Sequence, residues 1–118
     1  MAYEYRATLN RVVDGDTVWL DVELGFNVRL KVELRLEGIN TPEVTGVQKV
    51  AGLAAKSELA RLLSLGTIHF ISVKTEKYGR YLATLFVTPV GQPAINVNEA
   101  LIKGGFAKPY TGEGPKPV

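Results

Sequence analysis

The chain has 118 residues, 14 Lys and Arg against 12 Asp and Glu, and no cysteine. That length suits one domain whose core needs no staple, and the absent cysteine excludes disulfides and thiolate metal sites. No apolar run approaches the ~20 residues of a membrane span, and a net charge of +2 does not by itself argue for a nucleic-acid partner.

The charge is unevenly distributed. Residues 1–43 hold five basic and eight acidic side chains, and residues 44–118 hold nine and four. An acidic first part beside a basic second part suits a cation site next to a polyanion surface, although an ordinary mixed surface accounts for it equally well. Residues 1–6 contain no apolar stretch of the kind a secretory leader needs, so a cytoplasmic location is expected unless a leader has been removed.

In chain order, a somewhat irregular strand is expected over residues 3–13. Residues 17–24 then alternate with period two, with Val18, Leu20, Val22 and Leu24 on one face. After the turn Gly25-Phe26-Asn27, residues 28–36 alternate again, with Val28, Leu30, Val32, Leu34 and Leu36 on one face. Two half-buried strands joined this way predict a hairpin. Over residues 50–65 the spacing of Ala55, Leu59, Leu62 and Leu63 changes to that of a helix, with Gly66 as its stop. Residues 67–73 and 81–87 read as strands around a turn at Lys77-Tyr78-Gly79-Arg80. A loop follows at residues 89–93. Asn96, with Glu99 three residues on, caps a short helix that Gly104-Gly105 ends. The domain is expected over 1–110, with a flexible Gly- and Pro-rich tail at 111–118. This order fits an α+β, mainly β fold. Among several α+β layouts, it is that of a five-stranded oligonucleotide-binding (OB) Greek-key barrel with two or three packed helices.

Five short blocks combine charge with turn-forming residues. Asp14-Gly15-Asp16-Thr17 sits at a strand junction, where Gly15 lets two carboxylates come together and Asp16 shares the inward parity of Val18. Paired carboxylates there suit Ca2+ or Mg2+, and a plain solvated turn explains them as well. Arg35 stands on the polar face of its strand, with Glu33 or Glu37 as an expected partner of little net worth. In Asn40-Thr41-Pro42-Glu43, the proline holds Thr41 extended and can aim a carbonyl and a carboxylate at one point. Arg80 offers a planar fork suited to phosphate. His69 is expected on a strand surface, Trp19 under a helix or loop, and Glu99 in a cap.

Together with Asn98-Glu99-Ala100-Leu101, these blocks occur in the order found in the staphylococcal nuclease-like (thermonuclease) family. The chain resembles that family from about Ala7 to about Tyr110. The resemblance implies an OB barrel and a Ca2+-dependent endonuclease acting on DNA and RNA with little sequence preference, leaving 3′-phosphates. It implies Asp16, the Thr41 carbonyl and Glu43 as metal ligands, with Glu43 also the general base. Arg35 and Arg80 would neutralise the phosphate, Lys77, Tyr78 and Tyr110 would meet the substrate, and Asp14 would stand behind the ligands. A monomer acting on single-stranded or locally unpaired nucleic acid, away from membranes, is expected.

One position departs from the pattern. Asn40 stands where active members of the family usually place a second aspartate ligand. Its amide oxygen can still ligate, but without charge, and weaker Ca2+ binding is expected. The loop after Glu43 is also a few residues short. Asn40 keeps a second reading open, that of a nucleic-acid-binding barrel without useful catalysis. A protein-interaction domain on the same fold is a third.

Overall fold

A computed structural model describes residues 3–75 and 79–111. Strand β1 (Tyr3–Asp14) pairs antiparallel with both β2 (Thr17–Gly25) and β5 (Thr67–Thr75). Strand β2 continues into β3 (Val28–Leu36), and β5 pairs with β6 (Tyr81–Thr88). Strands β3 and β6 then meet in parallel, Leu34 opposite Tyr81 and Leu36 opposite Ala83. That last pairing closes five strands into a barrel, and the chain has the expected mainly β, α+β fold of the OB kind. Two short strands, β4 (Ile39–Asn40) and β8 (Lys108–Pro109), form a separate pair, and β7 (Ile95–Asn96) lies along β6. Helix α1 (Lys49–Leu63) follows a single 3₁₀ turn at Gly46–Gln48, and α2 is Val97–Lys103. Among the described residues, no helix is long and apolar enough to cross a membrane.

The alternation of β2 and β3 becomes a core because every second side chain enters the barrel. Val18, Leu20, Leu34 and Leu36 are buried there with Phe70 of β5 and Leu85 of β6. Leu59, Leu62 and Leu63 of α1, with Leu101 of α2, complete it from outside. Each such side chain contributes about 1.5–3 kcal/mol by leaving water.

The inward face predicted for the hairpin is only partly buried. Leu24, Val28 and Leu30 keep the core parity but are 43%, 51% and 52% exposed, because the ribbon outruns the barrel it helps to build. Its turn carries positive φ at both Phe26 (54°) and Asn27 (62°), the backbone of a type I′ hairpin turn. Gly66 also differs from its expected role. Helix α1 ends at Leu63, with Ser64 still right-handed at its C-cap. A side chain at Gly66 would instead come within 2.0 Å of the Thr88 carbonyl oxygen, so glycine there permits a close backbone approach.

Asn96 caps α2 as expected, its side chain accepting from the Glu99 amide. The next helical turn carries a residue with a larger structural task. Buried Asn98 accepts from the Leu85 amide (3.1 Å) and donates to the carbonyls of Glu37 (2.9 Å) and Ala83 (3.2 Å). It therefore ties α2 to β6 and to the exit of β3. Truncating it strips the Leu85 amide and the Glu37 carbonyl of a partner, each worth about 1–3 kcal/mol when left unpaired, while the Ala83 carbonyl keeps the Glu37 amide. Asn98→Ala is expected to lose about 3 kcal/mol of stability in urea unfolding.

Candidate metal and phosphate site

At the end of the barrel where β1 turns into β2, Asp16 is buried and faces the end of β3. Its backbone carbonyl accepts from the Leu36 amide at 2.9 Å. Its carboxylate Oδ2 lies 3.0 Å from Arg35 Nη1 and accepts the Thr41 amide at 3.1 Å. Its Oδ1 accepts the Thr17 hydroxyl at 3.2 Å. Arg35 is thus paired across the strands with Asp16, and neither Glu33 nor Glu37 is its ion-pair partner. Both side chains are about nine-tenths buried. The second arm of Arg35 donates to the Ile39 carbonyl (3.2 Å) and reaches the Asn40 amide oxygen at 3.5 Å. Among the described residues, Thr41 Oγ1 is buried without a hydrogen-bond partner, whereas Arg35 Nη1 is engaged by its ion pair with Asp16. The Thr41 hydroxyl is a polar group left for something that enters the site.

Arg80 approaches from the far side of the barrel seam and donates to Thr17 Oγ1 at 3.4 Å. Asp16, Asn40, Glu43, Arg35 and Arg80 then line one almost wholly polar cavity of about 180 Å³, with Asp14 at its edge. The cavity brings together Asp14, Asp16, Arg35, Asn40, Thr41, Glu43 and Arg80 of the residues that the resemblance singled out. Lys77 and Tyr78 lie outside the described residues. Tyr110 is held beside the site loop by its amide, which donates to the Gly38 carbonyl (2.8 Å), but it does not line the cavity. Trp19, His69 and Glu99 stand apart from it. His69 stacks on Phe86 at the strand surface, as expected. Trp19 has the Lys31 ammonium over its ring, 5.6 Å from the centroid.

The two carboxyls of the first turn are unequal. Asp14 Oδ1 accepts the Asp16 amide at 3.0 Å. Burial, with the neighbouring Asp16 carboxylate adding to it, raises the Asp14 carboxyl to about 6. Burial also works against charge on Asp16. There it is outweighed by the hydrogen bond with Asp14, the Arg35 guanidinium and the Thr41 amide, which hold Asp16 below the usual range. Of the two, Asp16 is the carboxyl that favours the charged form.

The groups available to a cation are all oxygens, which suits a hard ion such as Ca2+. Their charge is low. Asp16 already shares its carboxylate with Arg35, Asn40 is neutral, and among the described residues no cluster of three or more His, Cys, Asp or Glu is placed to hold a metal. The donor set fits Ca2+ in kind and falls short of tight binding in charge.

Glycines that the motifs did not explain build the walls. A methyl group at Gly15 would stand 2.7 Å from Ala55 Cβ of α1 and 2.8 Å from the Thr41 side chain. One at Gly52 would stand 1.9 Å from the Glu43 carbonyl oxygen. Helix α1 is thus seated directly against the backbone that carries Glu43. Gln48, just before α1, accepts the Glu43 amide at 3.0 Å. The short loop after Glu43 is consistent with this seating, since only Val44 and Thr45 precede the 3₁₀ turn.

This fold with this site defines an OB barrel carrying carboxylates and arginines at one mouth. The model of the family described as staphylococcal nuclease homologue matches residues 33–117, and the chain belongs to that family. It is also 33% identical to an uncharacterized protein, MJ1439, of Methanocaldococcus jannaschii, over 90% of this chain and 59% of that protein. The chain therefore spans less than two thirds of that relative's length.

Gly52→Ala tests the seating of the site loop. The added methyl must displace either α1 or the Glu43 backbone, and overpacking of this sort costs about 1–3 kcal/mol. A lowered melting temperature is expected, together with faster protease cleavage in the 43–48 loop; an unchanged melting curve would mean that the helix is not held there.

Proposed function

We propose that the chain is a Ca2+-dependent nuclease that hydrolyses phosphodiesters of DNA or RNA with little sequence preference. The observation that carries this reading is the single polar cavity in which Asp16 and Glu43 face Arg35 and Arg80. A site for an anion alone has no evident use for the two carboxylates, and a site for a cation alone has none for two arginines. A phosphodiester with its counter-cation uses both.

Asp16, the amide oxygen of Asn40, the Thr41 carbonyl and Glu43 would hold the ion. When bound, Ca2+ supplies Lewis-acid stabilisation of phosphate charge and a more acidic water. Glu43, the exposed carboxylate at the cavity rim, takes the proton of the attacking water. Arg35, ion-paired with Asp16 through Nη1 at 3.0 Å, shares its guanidinium charge with a phosphate oxygen as negative charge builds. Arg80 does the same from across the seam. The bond to the 5′ oxygen breaks, that oxygen takes a proton from solvent water, and the phosphate stays on the 3′ side. Asp14 orients Asp16 through its amide. Lys77 and Tyr78 are proposed at the phosphate and sugar, and Tyr110 near the base. Single-stranded or locally unpaired nucleic acid gives the shallow cavity the easiest access.

A second reading, a nucleic-acid-binding barrel with little catalysis, is favoured by Asn40 and by the low carboxylate count. Plasmid and single-stranded DNA incubated with Ca2+ or with chelator separate the two. Cleavage is expected only with Ca2+, and Glu43→Gln is expected to lower it by about 10²–10⁴-fold, the usual worth of a general base. Cleavage that survives chelation or the Glu43 change would reject the enzyme reading. Salt-sensitive DNA binding without cleavage would support the binding barrel.

The same reading makes Asn40→Asp a gain-of-function change. It adds a charged oxygen ligand, and calorimetry is expected to show Ca2+ affinity about tenfold or more higher, since ligand charge sets affinity in such sites. Equal affinity would mean that position 40 does not ligate.

A further inference from the structure

The end of the β2–β3 ribbon carries a feature that a phosphodiesterase site does not explain. Phe26 is fully exposed and holds a φ of 54°. A bulky side chain in the left-handed region is a true outlier, and such strain with no folding return points to a use. Asparagine or glycine would serve a type I′ turn better.

Beside the turn, the ribbon's inner face continues past the barrel as an apolar surface. Leu24, Val28 and Leu30 are each about half exposed there, and Tyr81 is 48% exposed. Leu24, Leu30 and Tyr81 line an open, mainly apolar groove of about 200 Å³ with Tyr5 and Phe70 at its floor. One molecule thus presents both a projecting aromatic ring and a groove about the size of one.

The geometry points to a second copy of this chain as the occupant, with Phe26 of each copy seated in the groove of the other. A two-fold arrangement makes the same patch serve both sides. Two ribbons crossing antiparallel near Val28 bring each Phe26 to the level of the other copy's Leu30. The flanking charges favour this occupant over a polyanion or an anionic membrane. On the ribbon, Arg29 and Lys31 are accompanied by Asp21, Glu23 and Glu33, and Arg29 already lies 3.8 Å from Glu23. That mixture is close to neutral, and it lets acids and bases exchange partners between copies.

The area sets the strength. The exposed parts of Phe26, Leu24, Val28, Leu30 and Tyr81 amount to on the order of 600 Å² per copy, so the pair buries about 1,200 Å², at the low end of specific interfaces. The expected product is a concentration-dependent dimer, in place of the monomer the sequence suggested, and it forms whether or not the chain cleaves nucleic acid.

Sedimentation velocity across a concentration series of the full chain tests this. A shift from monomer to dimer is expected in the micromolar range, largely insensitive to salt. Phe26→Asn suits the turn's backbone and removes the ring; it is expected to weaken dimerisation at least tenfold while leaving the melting temperature of the dilute monomer unchanged or higher. A parent chain that stays monomeric at the highest concentrations would overturn the proposal. So would a Phe26→Asn chain that dimerises like the parent.

Discussion

The ion pair between Asp16 and Arg35 is the constraint on which both fold and site depend. It joins the turn before β2 to the end of β3, at the point where the Leu36 amide meets the Asp16 carbonyl. Both partners are largely removed from water, so neither can lose the other cheaply; breaking such a pair costs about 3–5 kcal/mol. The cost is shared with the site loop, because the same carboxylate receives the Thr41 amide and the same guanidinium reaches Ile39 and Asn40. The groups proposed to work on phosphate are therefore also those that hold the mouth of the barrel in shape. A change to either partner therefore bears on the stability of the mouth as well as on the proposed site.

Around this pair, the walls of the site come from residues with no chemistry of their own. Gly15, Gly52 and Ala55 let α1 approach the loop closely enough to fix the Glu43 backbone. Asn98 secures the exit of β3 from the opposite side, through carbonyls at Glu37 and Ala83. The C-terminal strand β8 then lies along β4 and presses Lys108 against Asn40 in register. Three distant parts of the chain therefore position the seven residues from Glu37 to Glu43.

Much of this was legible in the sequence. Period-two patterning gave β2 and β3 almost to the residue, and the change to helical spacing located α1 within a residue or two. The same alternation could not tell where the barrel stops, so Leu24, Val28 and Leu30 read as core although they stand past its end. The site residues could be named because their types and order matched a known family. Their partners could not be named, since the Asp16–Arg35 contact depends on how β2 meets β3, which no local pattern encodes. Gly66 misled because glycine after a helix usually marks its end, and here it marks contact with a distant carbonyl. Asn98 was visible only as part of a matching block; its hydrogen bonds are made by elements far apart in the chain.

The barrel closes through three residue pairs between β3 and β6, roughly 47 positions apart in sequence. Like the β1–β5 pairing, in which Tyr3 meets Ser72, the seam must wait until a long stretch of chain has folded back, and that loop-closure entropy is spent before its contacts form. Arg35 stands on one side of the seam and Arg80 on the other. During synthesis, the chain emerges with its carboxylates and first arginine well before the second can reach them. A half-made molecule therefore lacks the assembled polar cavity, which has both of its arginines only once β3 and β6 have met.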